Sequence, residues 1–397
     1  MEIIYISPLA SQSYIDKVYR ITKKNPGFAV QKFSRLIVSG LLKNDVNCNV
    51  FSCPPITDKE YFVKGDEDYE DGISYKYISY FNFPIIKHLC VLISTFFYVL
   101  KWSKHNTNNK AIICDVLYVS MSIGALLASK VSRIKAVAVV TDIYDLIVGG
   151  NATKIERIKK KVASWINKCY VKKYSSYVLL TEAMNEVVNP KKKPYIVMEA
   201  ICDEDLTLPS DYITPKANPR IIMYAGGLEE KYGLKMLVDA FKNINDENWE
   251  LHLYGSGSYE QQLLEDISTD LRIKYWGVMP NSCVVKAEQT ASILVNPRFS
   301  FEEFTKYSFP SKNMEYMVSG TPVLTTKLPG MPMEYYPYVY TIDDETLSGF
   351  IRTLKLLFAK SNEDLQYIGK LGKEFVLKNK NNYIQASKII DLIDVTN

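Results

Sequence analysis

The sequence predicts an α/β protein built from two successive doubly wound domains. Three observations carry that prediction. Short, unbroken apolar runs alternate with helix-period stretches, as expected for parallel strands buried on both faces. The alternation stops at a polar, proline-bearing stretch, DEDLTLPSDYITPKANPR over 203–220, and then restarts. The 397 residues are long for one core and comfortable for two.

In the first half, strands are predicted at Ile3–Ile6, Asn49–Ser52, Ile112–Cys114, Leu117–Val119, Ala136–Thr141 and Tyr177–Thr181. Helices are predicted at Val30–Leu42, Pro84–Lys104, Ile123–Lys130 and Lys154–Lys173. This βαβ rhythm defines a doubly wound domain over 1–202. After the linker, strands are expected at Ile221–Tyr224, Trp249–Tyr254, Ile273–Trp276, Ile293–Asn296 and Pro322–Thr325. The intervening helices are Leu234–Lys242, Tyr259–Ile267, Ser282–Thr290 and Ser311–Ser319, followed by Asp344–Phe358 and Asn362–Lys378. These make a second domain over 203–379. A last helix, Tyr383–Ile393, stands beyond the polar run KNKNN and is expected to pack, with 380–397, on the first domain. Two such halves imply a cleft between them.

Hydrophobic residues are 47% and charged residues 23%, an ordinary globular balance that excludes a disordered chain. The seven cysteines are irregularly spaced with no CxxC, and the three histidines are dispersed. That excludes a disulfide framework or a zinc site and points to a reducing cytoplasm. MEIIYISPLASQ lacks the basic and long apolar regions of a signal peptide. The net charge of +4 is uneven: residues 1–200 carry +11 and residues 201–397 carry −7. A basic first half is expected to meet an anionic partner.

Two segments of that half bear on the partner. LCVLISTFFYVL, 89–100, is uncharged and bracketed by Lys87 and Lys101. It is shorter than the roughly 20 residues of a spanning helix, so a buried or interfacial helix is expected. KIERIKKKVASWINKCYVKK, 154–173, sets an apolar stripe of Ile155, Ile158, Val162, Trp165, Ile166 and Cys169 against lysines. It is either a core-packed surface helix or an interfacial one. Lys191–Lys193 adds a basic patch, yet no aromatic-interleaved nucleic-acid motif accompanies it.

The most informative stretch is SFPSKNMEYMVSGTPVL, 308–324. Pro310-Ser311 can start a helix, proline because it has no N–H to orphan and serine as a cap. Met314, Met317 and Val318 fall on one face, which should pack on the core. Free N–H groups at the helix start favour an anion, and Lys312 adds charge. Glu315, one turn on, can accept two hydroxyl hydrogen bonds from a ribose. The spacing suits a nucleoside diphosphate along the first turn. Gly320 should end the helix.

These residues carry a family resemblance. SKNMEYMVSGTPVL resembles the donor-binding segment of GT-B glycosyltransferases, in particular retaining family 4 with its Glu-x7-Glu signature. IIMYAGGLEEKYGLKMLVDAF, LHLYGSGSYEQQL, IKYWGVMP and SILVNPR follow in the family's order, so the likeness covers most of 215–335. It implies that Glu315 binds ribose. It further implies that Gly226, Gly227, Lys231, Gly255, Gly257, Val278, Tyr307, Ser311 and Lys312 line the donor site. Two departures stand out. Tyr307 takes the place of the first glutamate, with Glu302 and Glu303 out of register. Gly227 replaces the arginine of Gly-Arg-Leu, and Tyr232-Gly233 replaces Lys-Gly, with Lys231 shifted by one. A leaving diphosphate needs charge neutralisation, and Arg298 and Lys312 are the candidates to supply it. The NPR, FPSK and EYM pattern resembles a bacterial surface-polysaccharide subgroup.

In the first half, TDIYD follows the run AVAVV, where a parallel sheet carries function. The resemblance maps Thr141 and Asp142 to the acceptor side, and the loop after the first strand, with Gly27, is expected to border it. Asp142, Arg298 and Lys312 are thus the catalytic candidates. Asp66-Glu67-Asp68 and Asp203-Glu204-Asp205 read as solvated acidic loops, and no metal or other cofactor is expected. The expectation is a two-domain GT-B glycosyltransferase. It would move a sugar from a nucleoside diphosphate sugar, UDP foremost, to a glycan hydroxyl, with retention. A lipid-linked diphosphate acceptor and peripheral attachment to an anionic membrane, on its cytoplasmic face, are expected with it. Other readings compatible with these residues are an epimerase, an inverting GT-B enzyme and a non-catalytic partner subunit.

Overall fold

The computed structural model describes residues 1–22, 28–53, 61–105, 109–146, 154–203 and 216–396. The chain divides into two compact units, Met1–Ile201 with Asn382–Asn397, and Cys202–Asn381. The first unit runs β1 (Glu2–Ile6), α1 (Gln12–Thr22), α2 (Phe28–Lys43), β2 (Asn47–Ser52), β3 (Phe62–Val63), β4 (Glu67–Glu70), β5 (Ile73–Tyr77) and β6 (Tyr80–Phe81). It continues through α3 (Pro84–Ser103), β7 (Lys110–Asp115), α4 (Val119–Ser132), β8 (Ala136–Val140), α5 (Lys154–Val171), β9 (Ser176–Leu179), α6 (Glu182–Val188) and β10 (Tyr195–Val197). The second unit holds β11 (Arg220–Ala225), α7 (Leu234–Lys242), β12 (Trp249–Tyr254), α8 (Glu260–Ile267), β13 (Ile273–Gly277), α9 (Asn281–Thr290) and β14 (Ile293–Asn296). It ends with α10 (Ser311–Ser319), β15 (Val323–Thr326), β16 (Tyr340–Ile342), α11 (Leu347–Phe358) and α12 (Asn362–Asn379). Helix α13 (Asn382–Thr396) belongs to the first unit.

The first sheet has the order β10-β9-β8-β7-β1-β2-β5-β4. Its strands are parallel except for the antiparallel edge pair β4–β5. Strands β1 and β8 are buried along their whole length, which is why EIIYI and AVAVV read as unbroken apolar runs. The core on one side joins Ile37, Val38 and Leu41 of α2 to Ala386, Ile389 and Ile393 of α13. Polar contacts fasten α13 there: Asn382 Nδ2 donates to Ser39 Oγ at 2.9 Å and Gln385 Nε2 to the Ala200 carbonyl at 2.7 Å.

Two expectations are corrected here. Leu117–Val119 is not a strand. β7 ends at Asp115, whose carboxylate accepts the Leu117 N–H at 3.0 Å and turns the chain into α4. Asp66-Glu67-Asp68 is not a solvated loop, because Glu67–Glu70 pairs with β5 as an edge strand. Asp68 there accepts hydroxyls from Ser11 and Ser13, bonds that hold its carboxyl below the usual range. Helix α1 was not foreseen. Gly27, Glu204 and Asp205 lie outside the described residues, as does most of the expected linker.

The second sheet is parallel throughout, in the order β13-β12-β11-β14-β15-β16. At its floor Trp249 stacks on Phe358 with ring centroids 3.9 Å apart, and the Arg220 guanidinium lies 4.3 Å from the Trp249 ring. Helices α11 and α12 start at matched caps. Thr346 accepts the Gly349 N–H and Ser361 the Asp364 N–H. Replacing Thr346 by Ala should cost about 1 kcal/mol, the usual worth of such a cap. Urea unfolding followed through Trp249 would read it, and an unchanged midpoint would refute the assignment.

Candidate functional site

The second sheet reverses direction at β11, with β12 and β13 on one side and β14 to β16 on the other. In sheets of this kind ligands bind beyond the strand C-termini at that switch point. The loops there are Gly226-Gly227 after β11 and Pro297-Arg298 after β14, and the start of α10 reaches them through Lys312.

The geometry begins with α10. Pro310, in extended conformation, is the N-cap, and Ser311 lies inside the helix, exposed. The expected serine cap is therefore not at the N-cap, where Pro310 makes no side-chain bond. Met314 and Met317 are buried as expected, while Val318 is only half-buried. Gly320 ends the helix with φ 79°. Tyr316, also buried, accepts the Ala225 N–H at 2.9 Å and donates to its carbonyl at 3.2 Å, which pins α10 to the end of β11. Asn313 Oδ1 accepts from Asn296 Nδ2 at 2.8 Å and ties the helix to β14. Glu315 is left on the exposed face.

Lys312 runs from the helix start across the face of Gly226. A methyl on Gly226 would sit 1.8 Å from Lys312 Cε, and the φ of 147° is one that other residues rarely adopt. Lys312 Nζ donates to the Tyr224 hydroxyl at 3.3 Å, and that hydroxyl donates to the Gly227 carbonyl at 2.7 Å. Arg298 approaches from β14, its guanidinium 4.6 Å from the Tyr232 ring, which Lys312 Nζ reaches at 5.9 Å. The exposed Lys231 lies 5.5 Å from the same ring and 5.6 Å from Phe304. Three cations thus converge on the Tyr232 ring. Aromatic faces attract cations, so Tyr232 gathers like charges that would otherwise spread apart. Desolvation, then the charge of Arg298, pushes the Lys312 ammonium down to about 8, with Glu315 pulling it back. Such a group is primed for an anion.

That shift sets a pH dependence. Free Lys312 loses its proton above about pH 8, whereas a bound diphosphate would hold it protonated. Affinity for a diphosphate ligand should be full below that point and fall as pH rises through it, by up to about tenfold per unit. Calorimetry near pH 8 should show proton uptake on binding, and Lys312→Met should remove both effects. Affinity that stays flat through this range would refute the assignment.

The remaining donor candidates fall around this cluster. Gly255 packs on the Gly226 loop: a methyl there would lie 1.9 Å from the Gly226 carbonyl. Gly257 sits against the Leu228 carbonyl, and backbone bonds join Gly226 to Tyr254 and Gly255 to Gly277. These glycines let the loops of β11, β12 and β13 close on one another. Val278 is exposed beyond β13, two strands from β11. Tyr307 is half-buried behind the short turn Glu303–Lys306 that presents Phe304. Sequence reasoning missed Tyr224, Phe304 and Tyr316. The tyrosine directly after Glu315 was the one available signal.

In the first unit the switch point falls between β1 and β7. Asp115, buried at the end of β7, was also missed. Burial pushes its carboxyl up to about 7, against the hydrogen bond from the Leu117 N–H, and the charge of Asp142 adds a smaller push. Asp142 follows β8 and is exposed as a residue, yet desolvation raises its carboxyl too. It borders a hollow lined by Asn167, Lys168 and Lys172. The Thr141 hydroxyl beside it has no partner among the described residues. Among those residues no group of three His, Cys, Asp or Glu side chains is placed to hold a metal.

This architecture recurs in solved structures. Sucrose-phosphate synthase from Thermosynechococcus elongatus superposes with TM-score 0.68 at 13% identity, covering 100% of this chain and 99% of that one. The lipopolysaccharide outer core galactosyltransferase WaaB superposes at 0.64 with 15% identity and full coverage of both chains. Alr3699/HepE of Anabaena, solved with UDP, does so at 0.63 with 13% identity and full coverage of both. The shared fold is GT-B, two Rossmann-like parallel sheets. Residues 219–352, within the second unit, match the family model Glycosyl transferases group 1. Among curated proteins none matches in sequence.

Proposed function

We propose that the chain transfers a sugar from a UDP-sugar to a glycan hydroxyl, with retention of anomeric configuration. The observation that carries this is the convergence of Lys312 and Arg298 on Tyr232, at the switch point of the sheet that lies within the group 1 match. The nucleotide ribose lies against Glu315, and the diphosphate lies across Gly226 beneath the two cations. As the bond from sugar C1 to the diphosphate oxygen breaks, its electron pair leaves on the diphosphate. Lys312 and Arg298 stabilise that charge as it develops. The acceptor oxygen bonds C1 and gives its proton to the departing phosphate oxygen on the same face. No covalent protein nucleophile is needed. Asp142, in the first unit, is the candidate acceptor-side carboxylate.

UDP is favoured because Alr3699/HepE was solved with UDP, and with UDP and glucose. A lipid-linked acceptor of surface polysaccharide is favoured by the likeness to an outer core galactosyltransferase and by the +11 charge of residues 1–200. Such an acceptor places the chain on the cytoplasmic face of the membrane. Thermal shift with nucleotide sugars tests the donor. A binder at one hundred times its Kd stabilises by about 2.7 kcal/mol. UDP and one UDP-sugar should raise the melting temperature, and NMR of the product should show the donor's anomeric configuration. No response to any nucleoside diphosphate would overturn the reading.

A further inference from the structure

Helix α5 is turned inside out. Its inward residues are Ser164, Asn167, Tyr170 and Val171, and both Asn167 Nδ2 and the Tyr170 hydroxyl donate to the Val116 carbonyl. Its apolar stripe points outward, with Ile158 62% and Trp165 68% exposed and Val162 exposed between them. The core-packed reading of this stripe is therefore excluded. Ile155 falls among the side chains not described, Ile166 is half-buried and Cys169 is exposed.

Helix α3 repeats the pattern. Val91, Thr95, Val99 and Trp102 face inward, while Ile85, Leu89, Ile93 and Phe97, every fourth residue, are exposed. By length and apolarity Ile85–Ser103 would suffice to cross a membrane, but α3 packs along α4 as part of the unit. Helix α4 itself exposes Leu127 and Val131. The crossovers β5→β7, β7→β8 and β8→β9 all run the same way across the sheet, opposite to β1→β2. Right-handed connections therefore put α3, α4 and α5 in one layer and α2 on the other side. The sequences of these three helices hold nine Lys and Arg and a single acidic residue, Glu156.

We propose that the outer face of the α3–α4–α5 layer docks on an anionic lipid bilayer, with Trp165, Ile158, Phe97 and Leu89 entering the interface. The proposal rests on the reading of a membrane-bound acceptor and names the surface that meets the membrane. Apolar stripes flanked by lysines match the interface between acyl chains and acidic headgroups. A second copy of the chain is the poorer occupant. A self-complementary dimer would bring together two layers that each carry nine basic residues and one acid in their sequences.

Flotation on vesicles of equal parts phosphatidylcholine and phosphatidylglycerol tests it. Three variants of the full chain are compared with the native protein: Ile158→Ser with Trp165→Ser, Leu89→Ser with Phe97→Ser, and Lys161→Glu with Lys101→Glu. These positions are exposed, so UDP binding by the second unit should be unchanged and reports folding. The native chain should float at low salt and detach at high salt, and each variant should partition about tenfold less. If native and variant chains float equally, the face is wrong although membrane attachment stands. If the native chain does not float at low salt, attachment itself fails. A native dimer that the serine variants convert to monomer would assign the face to a second copy and overturn the proposal.

Discussion

Glu315→Ala is expected to bind UDP about 10- to 150-fold more weakly than the native chain, a loss of about 1.5–3 kcal/mol, the range for hydrogen bonds to a charged group. The expectation follows from how α10 is held. Asn313, Met314, Tyr316 and Met317 are buried and fix the helix rotation, which leaves Glu315 outward on the turn that follows Lys312. A carboxylate there can accept from both ribose hydroxyls. Glu315→Gln, which keeps one acceptor oxygen but no charge, should fall between the two. A nucleotide lacking the ribose hydroxyls separates recognition from structure. The native chain should lose affinity for 2′,3′-dideoxy-UDP, and the alanine variant should bind UDP and its dideoxy analogue alike. If the variant still discriminates between them, another group holds the ribose.

The elements around this site were legible because local chemistry marks them. Pro310 and Gly320 bracket α10, and the residues between them sort by period into a buried and an exposed face. The parallel strands were legible because burial on both faces removes polar residues. What meets Lys312 was not legible. Tyr224 lies 88 residues earlier, and the contact exists only because β11 and α10 flank the same switch point. Tyr232 occupies the position where the family resemblance led one to look for a lysine, so it read as a loss. In the structure it gathers Lys231, Arg298 and Lys312. Asp115 was missed because the strand was expected to stop one residue short and another to start at Leu117. Periodicity found α5 but could not say which face meets the sheet. Ser164, Asn167 and Tyr170 look like an outer face, and only the Val116 carbonyl that two of them bind explains why they turn in.

Removing either cation should slow transfer far more than it weakens nucleoside binding. Lys312→Ala and Arg298→Ala are each expected to lower kcat by about 10²–10³-fold, the usual cost of deleting one preorganised donor to a developing charge. Uridine, which carries no phosphate, should bind both variants as it binds the native chain. The reason is where the charge appears: the diphosphate gains negative charge as C1 departs, so the cations bind the transition state more tightly than the ground state. Both act on one leaving group, so the double variant should lose less than the two single losses combined. Gly226→Ala gives an independent check, because it keeps both cations and displaces one. Its methyl would overlap Lys312 Cε and Nζ and force that side chain off the path it now takes. It should therefore slow transfer as Lys312→Ala does. Equal losses for UDP-sugar and uridine in the single variants would mean that Lys312 and Arg298 shape the pocket rather than neutralise the leaving group. Charge relief would then have to come from Lys231, the third cation at Tyr232.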